Sequence, residues 1–238
     1  NDAQLQTARA NASLFARTHL VKKYVTTHSA RKRDLLKQAV LDQLFNYQLA
    51  YPEYSEIRIV SPEGMELLRS VIGNVNNDTT DESASPWFVE ASKTDGAIYT
   101  AFMNNPDNNR PVLITSKPLL FIKGKNTKNA GKRKLYGYLV LTVELGYLAR
   151  QSKNLNVGQS GDIFFTDSSG KILFHPNNSP IGTRVTPALF ARLGKAVHRG
   201  TQVDAPYMNE TAHYQAIKLD DWLHAVAVYP ENEFTDKS

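Results

Sequence analysis

Hydrophobic positions in the first fifty residues recur at helical spacing. Apolar residues return every three or four positions over 1–25, and neither proline nor glycine occurs before Pro52. Residues 26–29 contain Thr and Ser, which favour helix caps, and a second apolar stripe follows over 35–47. This pattern predicts one helix of about 25 residues followed by a shorter one. A helix of that length favours packing along a partner, and we expect it to pair with its own copy.

Strand-like alternation begins directly after this helical region. Residues 54–60 are rich in β-branched and apolar side chains, a Ser-Pro-Glu-Gly turn follows at 61–64, and 65–71 resume the strand. Pro86 suits the first turn of a short helix. The order predicts a mixed α+β unit with further strands at 97–102, 112–122 and 135–144 and a closing helix over 145–154.

The pattern of the first hairpin returns 106 positions later. Residues 163–173 align with 57–67 without a gap (163 − 57 = 106), and both copies read as strand, four-residue turn and strand. Gly64 and Gly170 end the two turns, where a hairpin needs a positive φ. We therefore expect two related α+β modules, the second continuing with a helix over 187–197 and strands near 201–203, 213–217 and 223–229.

Composition removes several classes of protein. The 238 residues include no cysteine, which excludes disulfides, thiolate metal sites and cysteine nucleophiles. We interpret the chain as a fragment of a longer protein. Its apolar runs are far shorter than the roughly 20 residues of a membrane helix, so any membrane anchor is expected to lie outside it. The six histidines are scattered, and no Gly-x-Ser-x-Gly or glycine-rich cofactor loop is present. An enzyme is therefore a weak alternative, and no metal or cofactor is predicted.

The net charge of +5 raises nucleic acid as a partner. Residues 123–134 hold six basic side chains and no acidic one, between two strand-like segments. No aromatic residue lies inside this run to stack on bases. A solvated hairpin loop is the favoured interpretation, and a nucleic-acid-binding protein is kept only as a third alternative.

Three stretches resemble one known family. Residues 54–69 combine a hydrophobic strand, a turn glycine and Glu-x-x-Arg; residues 137–145 are similar to the strand that closes the same module; residues 158–176 are similar to the opening of a second module. The chain thus resembles the double Cache sensor domains, which are tandem PAS-like modules. The resemblance implies this division: 1–50 a helical stalk, 51–154 a membrane-distal module, 155–230 a membrane-proximal module, and 231–238 the stub of an exit helix.

The resemblance also implies a topology and a function. Membrane helices would flank the fragment, with both modules on the periplasmic side of a bacterial inner membrane. The distal module would hold a small-molecule pocket, and the signal would pass through the terminal helices to a histidine kinase, a diguanylate cyclase or a chemoreceptor output. A homodimer through the N-terminal helix is expected. A ligand-free spacer or a sensor of a protein partner is the alternative function.

Residues 85–90 correspond to the Arg-x-Trp-Tyr-x-Asp segment of amino-acid-sensing relatives. Trp87 matches, Phe88 and Glu90 match in part, Ser85 replaces the carboxylate-binding arginine, and Thr142 falls where the ammonium-binding aspartate is expected. The loss of both charged anchors argues against a conventionally bound α-amino acid, because a buried unpaired charge costs several kcal/mol. The predicted ligand site comprises Trp87, Phe88, Glu90, Tyr99, Phe102, Thr115, Lys117 and Thr142.

Lys117 is the cation in this set and predicts a carboxylate ligand. Aromatic walls with a few polar groups are typical of small-ligand sites. The alternative is that the aromatic residues are ordinary core and that Lys117 faces solvent.

Overall fold

The computed structural model describes most of the first module and parts of the second. The predicted helix over 145–154, the basic residues 123–132 and the tail 231–238 lie outside the described residues, as does most of the helix predicted over 187–197. The chain divides into two compact units. One is Thr7–Glu144, and the other is Leu145–Ser238 together with the first six residues. The described residues are 2–73, 80–105, 107–108, 110–122, 133–144, 162–175, 183–185, 190–191, 203–207, 210–220 and 223–230.

The N-terminal region forms three helices, α1 (Asp2–Ala16), α2 (His19–Thr26) and α3 (Ala30–Ala50). The prediction of one helix of about 25 residues with a shorter one after it was wrong. The chain leaves the helix at Thr18, whose backbone is extended (ψ 145°) and whose hydroxyl donates to the carbonyl of Phe15 at 3.1 Å. The apolar spacing continues across this break, so periodicity could not reveal it.

The predicted polar break between the helices is confirmed. Thr27 ends α2 with an extended backbone, and the Ser29 hydroxyl accepts a hydrogen bond from the Lys32 amide at the start of α3. This cap satisfies one of the amide groups that an α-helix leaves unpaired at its N-terminus.

The first module is built on a five-stranded antiparallel sheet with strand order β2-β1-β5-β4-β3. A short helix, α4 (Pro86–Ser92), has proline in its first turn as predicted. Strand positions agree with the sequence pattern to within two or three residues. The strands are β1 (Tyr54–Val60), β2 (Glu66–Val71), β3 (Tyr99–Asn104), β4 (Pro111–Ile122) and β5 (Arg133–Glu144).

The second module has a sheet of the same topology, with strand order β7-β6-β10-β9-β8. This identical order confirms the prediction of two related α+β modules. Its described strands are β6 (Asp162–Asp167), β7 (Ile172–Phe174), β8 (Val203–Tyr207), β9 (Glu210–Asp220) and β10 (Leu223–Pro230).

The two opening hairpins share their hydrogen bonds as well as their glycines. In the first hairpin the Ser61 hydroxyl accepts from the amides two and four residues later, and in the second the Asp167 carboxylate does the same. Gly64 (φ 96°) and Gly170 (φ 79°) occupy the left-handed turn position in each. The repeat seen in the sequence is therefore a repeat of local structure.

Helices α2 and α3 pack on one side of the first sheet. Gln48 is fully buried there: its amide donates to the carbonyls of Tyr54 and Ser55, and its oxygen accepts from the Ser70 hydroxyl at 2.6 Å. The Asn11 amide donates to the hydroxyl of Tyr54 at 2.8 Å, and burial raises the pKa of Tyr54 to about 12. These bonds fix α3 to β1 and β2, and α1 to β1.

At Gly137 the backbone of β5 lies close to the backbone of β1. Its φ is +135°, and a Cβ there would collide with the carbonyl oxygen of Val60. We expect Gly137→Ala to lower the free energy of unfolding by about 2–3 kcal/mol, from backbone strain and overpacking together. Gly73→Ala is the matched control, because Gly73 also has a positive φ (+89°) but a Cβ there meets nothing within 4 Å. Urea denaturation measures the free energy of unfolding of both variants. Equal decreases in the two variants would contradict a collision at Gly137.

Candidate ligand site of the first module

The first sheet presents two faces, and alternate residues of each strand belong to opposite faces. Residues directly opposite each other in antiparallel strands share a face. Ser116 lies opposite Val140, and Thr142 lies opposite Ile114. Val140 and Ile114 pack against Trp87 of α4, so we call this side the α4 face. The other side, against which α2 and α3 pack, is called the helix face.

Four of the predicted site residues lie together at the α4 face. Trp87 and Phe88 are buried, with their rings at right angles and 5.7 Å apart. Thr142 is 1% exposed on β5, and Tyr99 packs at the edge of the same cluster. Burial raises the pKa of the Tyr99 hydroxyl, and the charge of Glu90 raises it further. Thr142 is paired with Ile114, so it lies on the face of the sheet against which Trp87, Phe88 and Tyr99 pack.

The remaining predicted residues do not join this surface. Thr115 and Lys117 occupy positions on β4 that alternate with Ser116, which places them on the helix face. Phe102 pairs through its backbone with Leu113, and its side chain is outside the described part of the structure. The Glu90 side chain is 52% exposed and forms an ion pair with Lys93 at 2.6 Å. The predicted set is therefore divided between two sides of the sheet and the solvent.

A buried charge cluster lies beside Trp87, and the sequence reasoning did not include it among the site residues. The Arg58 guanidinium pairs with Glu82 through Nη1, and its Nε lies 3.8 Å from Glu56. The Arg69 guanidinium donates to Glu56 at 2.8 Å and to Asp107 at 3.2 Å. All five side chains are less than a tenth exposed. Because both arginines are already engaged by carboxylates, they are not open anchors for an anionic ligand.

Trp87 connects the charge cluster to the aromatic surface. Its indole Nε1 donates to the Glu82 carboxylate at 2.9 Å, and the Arg58 guanidinium lies 5.8 Å from the centre of its ring. A signal for the cluster was present in the sequence: Glu56 and Arg58 alternate with apolar residues in β1, which places both charges on one face. Glu82 could not be found in this way, because only the tertiary fold brings it to β1.

Two buried hydroxyls on the α4 face have no hydrogen-bond partner in the described part of the structure. They are Thr142 Oγ1 and Ser116 Oγ. Thr142 lies directly opposite Glu56 on one side and Ile114 on the other, and Ser116 lies opposite Tyr99. Buried polar groups are nearly always paired in native proteins, because leaving one unpaired costs about 1–3 kcal/mol. These hydroxyls are therefore groups that a ligand could satisfy.

The described residues contain no grouping of three or more His, Asp or Glu side chains that could hold a metal ion. No described helix combines the length and apolar character that crossing a membrane requires.

The chain belongs to the Cache family, since the model of the Cache domain matches residues 2–238. It is a sensor domain that resembles extracellular ligand-binding domains of histidine kinases, GGDEF proteins and chemoreceptors. The family, the α+β fold and the assignment to sensor domains rather than enzymes were all predicted from the sequence and are confirmed. No curated protein sequence matches the chain.

Solved structures of low sequence identity share the fold over nearly the full chain. The extracellular domain of a histidine kinase is 16% identical, with a TM-score of 0.69 and coverage of 99% of this chain and 87% of the other. A sensory box/GGDEF family protein of Vibrio parahaemolyticus is 16% identical, with a TM-score of 0.68 and coverage of 99% and 91%. The ligand-binding domain of a Pseudomonas aeruginosa amino acid chemoreceptor, solved with L-Arg, is 14% identical, with a TM-score of 0.64 and coverage of 100% and 92%.

Proposed function

We propose that this domain senses a small molecule that binds between α4 and the first sheet. The pair of buried, unpartnered hydroxyls on Thr142 and Ser116 carries this proposal, because they face the same side of the sheet as Trp87, Phe88 and Tyr99. An aromatic surface with a small number of convergent polar groups is the usual composition of a ligand site. The chemoreceptor domain solved with L-Arg supports a ligand-binding role for this fold.

The charges of the α4 face favour a neutral or cationic ligand. Its buried cluster contains two guanidinium groups and three carboxylates, a formal charge of −1. A free α-amino acid held through charged anchors is disfavoured, because Ser85 and Thr142 stand where those anchors are expected. The carboxylate predicted from Lys117 does not fit here either, because Lys117 lies on the helix face.

A thermal-shift screen against amines, amino acids, carboxylates and purines tests the proposed site. Ligand that binds only the native state raises stability by RT ln(1 + [L]/Kd), which is about 2.7 kcal/mol at a hundredfold excess over Kd. We expect one class of amine or neutral compound to raise the melting temperature, and Thr142→Val to abolish the shift. Valine keeps the shape of threonine and removes only the hydroxyl, which has no partner among the described residues.

Lys117→Met is the matched control, since it alters the opposite face of the same sheet. For an amine or a neutral compound, a shift that survives in Thr142→Val and disappears in Lys117→Met would place the ligand at the helix face instead of the α4 face. If no class produces a shift, the domain is better described as a ligand-free spacer or a sensor of a protein partner.

Signal transfer is proposed to run through the sheet to the N-terminal helices. Neighbouring residues of β5 face opposite sides, so a ligand that moves Thr142 also moves Leu141 on the helix face. The buried Gln48 side chain then connects β1 and β2 to α3. A location on the periplasmic side of the bacterial inner membrane, membrane anchors outside the chain and a homodimer through the N-terminal helix complete the proposal.

A further inference from the structure

A second concave site lies on the helix face of the first module. Its volume is about 480 Å³, and it opens between the break that separates α1 from α2 and the adjoining ends of β4 and β5. Four cationic residues line it: Arg17 from the break, Lys22 from α2, Lys117 from β4 and Arg133 from β5. None of the lining residues is acidic.

Among the described residues, the four cations have no carboxylate partner. In the described part of the chain, none of them forms an ion pair with Asp or Glu. Lys117 donates to the carbonyl oxygen of Gly96 at 3.3 Å, which is a neutral partner. Burial lowers the pKa of Lys117, and the positive charges of Arg17 and Arg133 lower it further. The cavity thus holds like charges close together without compensation, an arrangement that a bound anion would relieve.

The walls of the cavity indicate the chemical class of that anion. Residues 119–122 contribute apolar side chains, and Lys22 Nζ lies 5.7 Å from the centre of the Phe121 ring. A small inorganic anion would leave these apolar surfaces unfilled. Guanidinium groups favour planar carboxylates because two parallel N–H···O bonds form at once. Apolar walls with several cations therefore fit a carbon skeleton that carries more than one carboxylate.

We propose that this cavity binds a small organic di- or tricarboxylate. The site is separate from the one beneath α4, so it adds a second chemical input to the module and does not depend on the first. An anion here would hold Arg17 of the helix break and Lys22 of α2 against Lys117 and Arg133 of the sheet. Binding therefore stabilises one position of α2 relative to β4 and β5.

Isothermal titration of the full chain with citrate and succinate tests the proposal, with succinamide as the uncharged analogue. We expect citrate to bind, succinamide not to bind, and Lys117→Met to weaken citrate binding about tenfold or more. Lys93→Met is the matched control: it removes the same charge from an exposed position outside the cavity and should leave the dissociation constant within about twofold. Lys117→Arg should restore binding.

Three results would overturn the proposal. Equal weakening in Lys93→Met and Lys117→Met would indicate attraction by net charge alone. Binding of inorganic phosphate as tight as that of citrate would refute an organic ligand. If citrate does not bind, and duplex DNA binds and is not displaced by citrate, the cavity would be better described as a nucleic-acid contact. Because Thr142→Val leaves this cavity intact, loss of citrate binding in Lys117→Met but not in Thr142→Val separates the two sites.

Discussion

Replacing Arg58 with methionine is expected to destabilise the first module by about 3–5 kcal/mol. The Arg58 side chain is 4% exposed and lies against the buried carboxylates of Glu82 and Glu56. Methionine keeps much of the volume but leaves Glu82 without its cation, whereas Glu56 keeps its ion pair with Arg69. The desolvation of the unpaired Glu82 charge dominates the loss. Chemical denaturation followed by circular dichroism measures the change.

Two variants distinguish the loss of charge from the loss of packing. Arg110→Met removes an arginine that is 66% exposed and pairs with Glu144 at 3.3 Å, so its effect should be below about 1 kcal/mol. Adding Glu82→Gln to Arg58→Met should recover part of the stability, because it removes the negative charge that has lost its cation. A double variant that is less stable than Arg58→Met would show that charge compensation is not the main role of Arg58.

Replacing Trp87 with alanine is expected to cost about 3–5 kcal/mol. Trp87 is 1% exposed, packs in the cluster between α4 and the sheet, and donates to Glu82. Alanine leaves a cavity and deprives a buried carboxylate of its donor, and the two losses add. The variant should unfold at clearly lower urea concentration. A loss of ligand response in this variant would therefore not identify Trp87 as a ligand contact.

Val89→Ala is the control for the helix itself. Val89 lies in the same helix but is 38% exposed, so its truncation should change stability by less than about 1 kcal/mol. The stability of Trp87→Phe should lie between those of Trp87→Ala and Val89→Ala, since an aromatic ring remains but the indole donor is lost. A Trp87→Ala variant as stable as Val89→Ala would contradict the packing of α4 on the sheet.

The elements that depend on local pattern could be predicted from the sequence. The alternation over 54–60 defines β1 with its observed bounds, and the turn glycines at Gly64 and Gly170 mark both hairpins. Strand alternation and turn glycines are set by residues close together in the chain. For the same reason Pro86 correctly marked the start of α4.

The composition of the site depends on the tertiary fold and was only partly predictable. Thr115, Lys117 and Thr142 look equivalent as polar residues in buried strands, but strand pairing places Thr142 on one face and the other two on the opposite face. Without the register between β4 and β5, sequence cannot assign these faces. The charge cluster was missed for a related reason: Glu82 reaches Arg58 from a separate loop segment.

If the N-terminal helices carry the proposed signal, the break at Thr18 selects the motions that pass between them. An unbroken helix passes on both rotation about its axis and translation along it. Here α1 and α2 are joined by Arg17 and Thr18, and the Thr18 hydroxyl also lies 3.3 Å from the side-chain oxygen of Gln43 in α3. The Arg17 and Thr18 amides donate to the carbonyls of Leu14 and Phe15 at 3.1 and 3.3 Å, and the Thr18 carbonyl accepts from the Lys22 amide at 3.0 Å in the first turn of α2. In the proposed signal transfer, backbone rotation at these two residues would absorb twist, and the junction would favour displacement along the helix axis.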